Sequence, residues 1–197
     1  FPFPEHLFRK FVRENKGYFP VKIQALRDGT VANIHVPVYQ ITAEGEYARL
    51  VTFLETVLTH IWYPSTVATL SRKCREILNR AFAKSVDDSN LAFLNSRLHD
   101  FGFRGCSCLE QAVIGGSAHL LSFDGTDTMP AAYYAQFHLN EGRPCATSIP
   151  ASEHSVMTSF AHEKDAFRNM IDVYGSGPYS CVMDSYDYDN ALKVIVP

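Results

Sequence analysis

The sequence has no long apolar run and no excess of one charge. Its longest apolar stretch, from Leu50 to Tyr63, is interrupted by Glu55 and His60, and it is shorter than the roughly 20 residues that a membrane span needs. Lys and Arg number 18 against 21 Asp and Glu, giving a net charge of -3, which argues against nucleic acid as the main partner. We therefore expect a chain that binds neither a membrane nor a nucleic acid.

A regular cysteine framework is also missing. An odd number of irregularly spaced cysteines does not indicate disulfides, and we therefore predict a reducing, cytoplasmic compartment. Cys106 and Cys108 stand too close together for the usual zinc-binding pair, and no second Cys/His pair follows at a zinc-ribbon distance, so we predict no metal site of this kind. The five cysteines are Cys74, Cys106, Cys108, Cys145 and Cys181.

What the sequence does contain is enough apolar material for a folded core. It is 46% hydrophobic and 20% charged over 197 residues, which fits one domain with a small companion. It begins at Phe1 rather than at a methionine and ends at Pro197, directly after an apparent helix. We therefore expect both ends to be cut from a longer protein.

Two different patterns occupy the first half of the chain. Residues 1–47 are predicted to form a β-rich accessory module, with a helix over 1–17 and strands over 21–26 and 31–41. Residues 48–95 are predicted to form a helical connection, in which Tyr63-Pro64 ends one helix and Ser65 begins the next. Ser71 is expected on the polar side of that second helix.

The second half, residues 96–197, alternates short strands with helices. A strand before His99 is followed by strands over 121–124, near 147–149 and over 179–183, each leading into helical sequence. Alternation of this kind indicates parallel strands with crossover helices, hence an α/β fold. A complete barrel of this type needs about 250 residues, so we predict a partial (β/α) barrel.

Polar residues gather where the predicted strands end. The ends of parallel strands share one face, where such folds build their sites, so we expect these side chains to line a common site. The alternative for each acid is a helix N-cap. The residues are Asp100, Arg104, Asp127, Glu153, His154 and Asp184.

Several motifs, in order along the chain, carry a family resemblance. They are WYPSTVAT at 62–69, LHDFGFRG at 98–105, GSAHL at 116–120, FDGTDT at 123–128, IPASEHS at 149–155, HEKDAF at 162–167 and SCVMDSYD at 180–187. Together they resemble the nicotinamide phosphoribosyltransferases. The resemblance implies the irregular barrel of type II phosphoribosyltransferases with a β-rich accessory domain, assembled as a homodimer with active sites at the interface.

The implied reaction joins nicotinamide to phosphoribosyl pyrophosphate in NAD biosynthesis or salvage, releasing nicotinamide mononucleotide and pyrophosphate. The resemblance implies Mg²⁺ carried with the pyrophosphate substrate, and ATP as an activator acting through a phosphohistidine. His154 matches that histidine. A neutral imidazole is a nucleophile near pH 7 that a neighbouring acid can orient, and Glu153 is adjacent in sequence.

The resemblance also assigns roles in substrate binding. Phe101 matches one of two aromatic rings around the base, and Arg104 matches an arginine near the base and phosphate. Asp127 matches the acid that meets the carboxamide, while Ser180 and Asp184 match residues of the amide and ribose region. Judged by residue type alone, Phe101 could equally be core and Arg104 a surface ion pair. Asp127 and Asp184 could be helix caps.

Three alternatives stay open. The chain could belong to a nicotinate phosphoribosyltransferase, or it could be a truncated, non-catalytic domain that binds a ligand or a full-length partner. A hydrolase using Cys106 or Cys108 is disfavoured, because no nucleophile elbow or oriented histidine is evident. The family's phosphate loops would lie beyond Pro197, so we expect negligible turnover from this chain alone and activity from the longer protein.

Overall fold

The computed structural model describes residues 2–196, and the chain divides into two compact units, Phe1–Ser65 and Thr66–Pro197. In the first unit, an amphipathic helix and a second helix bury Leu7, Phe11 and Leu50 between them. The elements are α1 (Glu5–Glu14), strands β1 (Lys22–Ala25) and β2 (Tyr39–Thr42), a 3₁₀ turn (Gly45–Ala48) and α2 (Arg49–Thr59).

The two strands form an antiparallel hairpin in which Lys22 pairs with Thr42 and Ala25 with Tyr39. The second strand is much shorter than predicted. Val31 and Ile34 are 90% and 85% exposed, so their alternating pattern has no partner surface within the first unit. The predicted boundaries at 47/48 and 95/96 stay predictions.

Helices dominate the rest of the chain. They are α3 (Trp62–Ser85), α4 (Leu109–His119), α5 (Met129–Tyr134), α6 (His154–Met157), α7 (Glu163–Tyr174) and α8 (Tyr188–Asn190). Short 3₁₀ helices lie at Asp88–Ser96 and Gly102–Gly105, and short π-helices lie at Ala135–Leu139 and Ala191–Ile195. No helix within residues 2–196 is long and apolar enough to cross a membrane.

Two helices are present here as predicted, but the break between them lies at His60 and Ile61 rather than at Tyr63-Pro64. Helix α3 begins at Trp62, so Pro64 lies in its first turn, where the missing N–H costs no helical hydrogen bond. Ser71, expected on the polar face of that helix, is instead buried and bonded to His119.

The predicted parallel strands appear as short pairings. Asp100 bridges Thr126, Gly125 bridges Thr147, and Ala151 bridges Ser180, all in parallel. The four segments therefore follow one another in chain order, as an α/β chain requires. The third segment contains Pro150, which has no N–H to extend a ladder.

The α/β prediction is thus confirmed at the level of parallel connections. Among residues 2–196 the one sheet is the antiparallel hairpin, so a barrel is not confirmed. The second unit has its core where α6, α7 and the π-helix Ala191–Ile195 meet, around Met157, Phe167 and Ala191. Gly116 of α4 lies against α5, so close that an added Cβ would stand 2.4 Å from that of Ala131.

Candidate functional site

A cavity of about 720 Å³ opens in the second unit where the parallel segments end. Four of the polar residues predicted at the strand ends line it together: Arg104, Asp127, Glu153 and His154. Asp100 and Asp184, predicted with them, are not among the lining residues. The structure thus brings four of the six polar side chains together, while their chemical roles stay predictions. The other lining residues are Phe101, Phe103, Cys106, Thr128, Ala151, Ser152 and Val182.

Asp127 does not cap the helix that follows it. Thr128 is the N-cap residue of α5. The Asp127 carboxylate instead accepts hydrogen bonds at the same oxygen, Oδ1, from the Ser148 hydroxyl at 2.5 Å and from Nε2 of His99 at 2.9 Å. The structure thus removes the cap as the explanation for this acid.

The Asp127 carboxylate is held in its ionised form. Partial burial acts to raise the pKa of Asp127, but the hydrogen bonds from Ser148 and His99, with the charge of His99, outweigh that effect and hold the pKa below its ordinary value of 3.8. A negative charge therefore faces the cavity at neutral pH.

Phe101 is a wall of the cavity rather than a core residue. It is 58% exposed, which rules out the core-packing alternative. Its ring lies 4.8 Å from the ring of His99, tilted by 39°. A flat apolar face thus stands two residues along the chain from the histidine that contacts Asp127.

Arg104 and Glu153 form an ion pair across the cavity lining, with Nη2 to Oε1 at 2.6 Å. The hydrogen bond and charge of Arg104 lower the pKa of Glu153 below its ordinary range. Both side chains are largely exposed, which makes this pair weak in stability terms. An anionic ligand in the cavity could therefore replace Glu153 as the partner of the Arg104 guanidinium at a small cost in stability.

His154 is the first residue of α6, and its Nε2 lies 2.7 Å from Oδ1 of Asp184. That hydrogen bond lowers the pKa of the Asp184 carboxyl. Asp184 is absent from the cavity lining and orients His154 from the side. The helix cap in this region is Asp187 instead, whose carboxylate accepts from the Asn190 N–H at the start of α8.

Ser180 reaches the site through its main chain. Its N–H donates to the Pro150 carbonyl and its own carbonyl accepts from the Ser152 N–H. Its side chain is not part of the cavity lining. Ser180 therefore fixes the third and fourth segments side by side, and its predicted contact with the substrate stays a prediction.

Both side-chain partners of Asp127, Ser148 and His99, were missed from the sequence. The signal for Ser148 was its place in the third predicted strand end, two residues before Pro150. His99 lies inside the LHDFGFRG motif at 98–105, which alone does not show that it contacts Asp127. Neither residue's spacing to Asp127 could identify the contact, because that contact depends on how the parallel segments align.

The donor set does not make a protein-only metal site. Within residues 2–196 no three His, Cys, Asp or Glu side chains are grouped so as to hold a metal ion.

Comparison with known proteins finds one matching family and several similar chains. The family described as nicotinate phosphoribosyltransferase (NAPRTase) matches residues 96–194. A nicotinamide phosphoribosyltransferase of Xanthomonas campestris pv. campestris is 39% identical over 98% of this chain and 42% of its own length. One from Acinetobacter baylyi is 36% identical over 90% and 36%, and one from Mycoplasma genitalium is 34% identical over 80% and 34%.

The chain spans about two fifths or less of the length of these curated relatives. The family match covers the four parallel segments and every cavity-lining residue named above. The chain belongs to the nicotinate phosphoribosyltransferase (NAPRTase) family.

Proposed function

We propose that the protein containing this chain is a nicotinamide phosphoribosyltransferase. The observation that carries the proposal is that the ionised carboxylate of Asp127 and the exposed ring of Phe101 line one cavity. The relatives named nicotinamide phosphoribosyltransferase support the same substrate.

The carboxylate favours an amide over an acid. The NH₂ of nicotinamide donates a hydrogen bond, whereas the carboxylate of nicotinate only accepts. Two like charges about 4 Å apart at an effective dielectric near 20 repel by about 4 kcal/mol. That energy corresponds to discrimination of up to about a thousandfold.

The reaction forms a bond between the ring nitrogen of nicotinamide and C1 of the ribose as the bond from C1 to the pyrophosphate oxygen breaks. The leaving pyrophosphate takes the electron pair. Phe101 would align the nicotinamide ring. Arg104 would release Glu153 and bind a phosphate of the substrate instead. Ser180 and Asp184 would border the amide and ribose. Positioning and charge stabilisation of this kind are what such a displacement requires.

His154 is proposed as the phosphate acceptor when ATP hydrolysis accompanies turnover. Because the Asp184 carboxylate accepts from Nε2, the lone pair of the neutral imidazole lies on the other nitrogen, Nδ1. Asp184, rather than the adjacent Glu153, is then the acid that orients it. Mg²⁺ would enter with the pyrophosphate substrate.

In the complete protein we place the four parallel segments in an irregular barrel, in a homodimer whose partner supplies the second aromatic ring. The five cysteines are all free, which supports a reducing, cytoplasmic location.

The test is steady-state kinetics of the longer protein with phosphoribosyl pyrophosphate, Mg²⁺ and either base. We expect nicotinamide to be preferred at least roughly a hundredfold in kcat/KM. Preference for nicotinate would contradict the proposal, and no product from either base would favour a non-catalytic role.

A further inference from the structure

His99 connects the two groups to which the base is proposed to bind. Its Nε2 lies 2.9 Å from Oδ1 of Asp127, and its ring lies against Phe101 at 4.8 Å between centroids. The side chain is only 21% exposed, so neighbouring groups confine it. A single imidazole therefore touches both the carboxylate and the aromatic wall.

The direction of the hydrogen bond follows from the charge of its acceptor. An ionised carboxylate only accepts, so Nε2 of His99 carries the proton. Ser148 donates to the same oxygen, Oδ1. Both protein donors thus act on one oxygen of Asp127, and Oδ2 is left with its lone pairs for a donor from a ligand.

Gly125 lies against the opposite edge of the His99 ring. A Cβ on Gly125 would stand 2.8 Å from Nδ1 of His99 and 3.5 Å from its Cγ. Such a distance to a ring nitrogen is closer than real Cβ atoms come, so the ring would have to shift. Gly125 therefore gives the imidazole the space from which Nε2 reaches Asp127.

We infer that His99 is a positioning residue of the base site: its Nε2–H fixes Oδ1 of Asp127, which presents Oδ2 to the carboxamide NH₂ and sets the preference for a neutral amide over an acid. The inference rests on the proposed function and adds to it the residue that orients the selective carboxylate. His99 need not touch the substrate to act in this way.

The test compares three variants of the longer protein. His99→Leu removes the donor, His99→Gln keeps an amide N–H that reaches about as far as Nε2, and Gly125→Ala displaces the ring while every polar group remains. Gly177→Ala is the control, because its Cβ would meet nothing within 4 Å. The measurements are KM and kcat for nicotinamide and the kcat/KM ratio of nicotinamide to nicotinate, with thermal midpoints to verify folding.

His99→Leu should raise the KM for nicotinamide about tenfold with little change in kcat, and should lower the base ratio by a similar factor, as loss of one charge-assisted hydrogen bond predicts. Gly125→Ala should change both values in the same direction, and His99→Gln should restore most of the loss. If His99→Leu fails to fold, Gly125→Ala and His99→Gln still decide the question.

Two results would overturn the inference while the proposed function stands. One is an unchanged base ratio in a folded His99→Leu or Gly125→Ala variant whose wild type prefers nicotinamide. The other is an equal loss in His99→Leu and His99→Gln, which would reduce His99 to a packing role. A wild type that prefers nicotinate or uses neither base would instead overturn the proposed function, and the amide selectivity assigned to His99 with it.

Discussion

Nε2 of His154 and Oδ1 of Asp184 lie 2.7 Å apart, although 30 residues separate them in the chain. Exchange of Asp184 for Asn keeps the size of the partner and removes its charge, which weakens the orientation of the imidazole. Because a hydrogen bond to a charged group contributes about 1.5–3 kcal/mol, we expect Asp184→Asn to reduce ATP-dependent stimulation of the longer protein about tenfold or more. The measurement is turnover with and without ATP.

His154→Ala should abolish both the stimulation and the acid-labile phosphate and should also reduce basal turnover. Asp187→Asn is the matched control, since Asp187 caps α8 and Asn caps as well as Asp. Acid-labile phosphate retained in His154→Ala would place the phosphohistidine elsewhere.

Asp127→Ser tests the origin of base selectivity. The change removes the charge that faces the cavity, so relative use of nicotinate should rise about tenfold or more. Asp124→Ser serves as the control, because Asp124 accepts from Thr147 and does not line the cavity. A kcat/KM ratio for the two bases that Asp127→Ser leaves unchanged would show that the carboxylate does not select the amide.

The gathering of Arg104, Asp127, Glu153 and His154 could be predicted from the sequence, because alternation of strands and helices places strand ends at one edge whatever the details of pairing. The side-chain partners could not. Whether the acid beside His154 is Glu153 or Asp184 depends on how the third and fourth segments align.

The failures in the fold have local causes. The break predicted at Tyr63-Pro64 lies at His60 and Ile61 instead, because proline is equally suited to the first turn of a helix and the chain context decides between the two. The predicted strands in the second unit formed only single bridges, since side-chain patterns do not report how many ladder hydrogen bonds a short segment completes.

Acid should weaken the fold through Asp127. A carboxyl whose pKa is lowered in the folded state stabilises the fold above its unfolded pKa, and that contribution is lost as the pH falls through the folded value. The pKa of Asp127 is lowered from 3.8, so the loss belongs below about pH 4. Urea midpoints between about pH 6 and pH 3 should fall less steeply in Asp127→Asn than in wild type. Asp172→Asn, on the exposed side of α7, should follow wild type. Parallel curves for all three proteins would contradict this assignment.

Gly116→Ala should destabilise the contact between α4 and α5. The added Cβ would stand 2.4 Å from Cβ of Ala131 and 3.3 Å from Cγ2 of Thr128. Overpacking of this kind costs about 1–3 kcal/mol, which exceeds the gain of about 1 kcal/mol in helix propensity. Gly177→Ala, with open space around it, is the control. A free energy of unfolding in Gly116→Ala at or above wild type would show that the two helices separate freely.

Ser71 and His119 should behave as one unit. His119 is buried, and its Nε2 lies 3.1 Å from the carbonyls of both Leu98 and Gly125, so Nε2 donates and Nδ1 accepts from the Ser71 hydroxyl at 3.0 Å. With both ring nitrogens bonded inside the protein, His119 is a structural histidine.

Each substitution leaves a different set of buried polar groups without a hydrogen-bond partner. Ser71→Ala leaves Nδ1 of His119 unpaired, at about 1–3 kcal/mol for each buried group without a partner. His119→Ala leaves the Ser71 hydroxyl and the Leu98 carbonyl without this partner, whereas the Gly125 carbonyl keeps its hydrogen bond from the Asp100 N–H. His119→Ala should therefore lower the free energy of unfolding more than Ser71→Ala does. The double variant should be no less stable than His119→Ala alone, because it also lacks the Ser71 hydroxyl, which His119→Ala leaves without a partner. Urea unfolding of the four proteins gives the coupling energy, expected at about 1 kcal/mol or more. Additive losses would mean that the bond from Ser71 contributes nothing to holding α3 against α4.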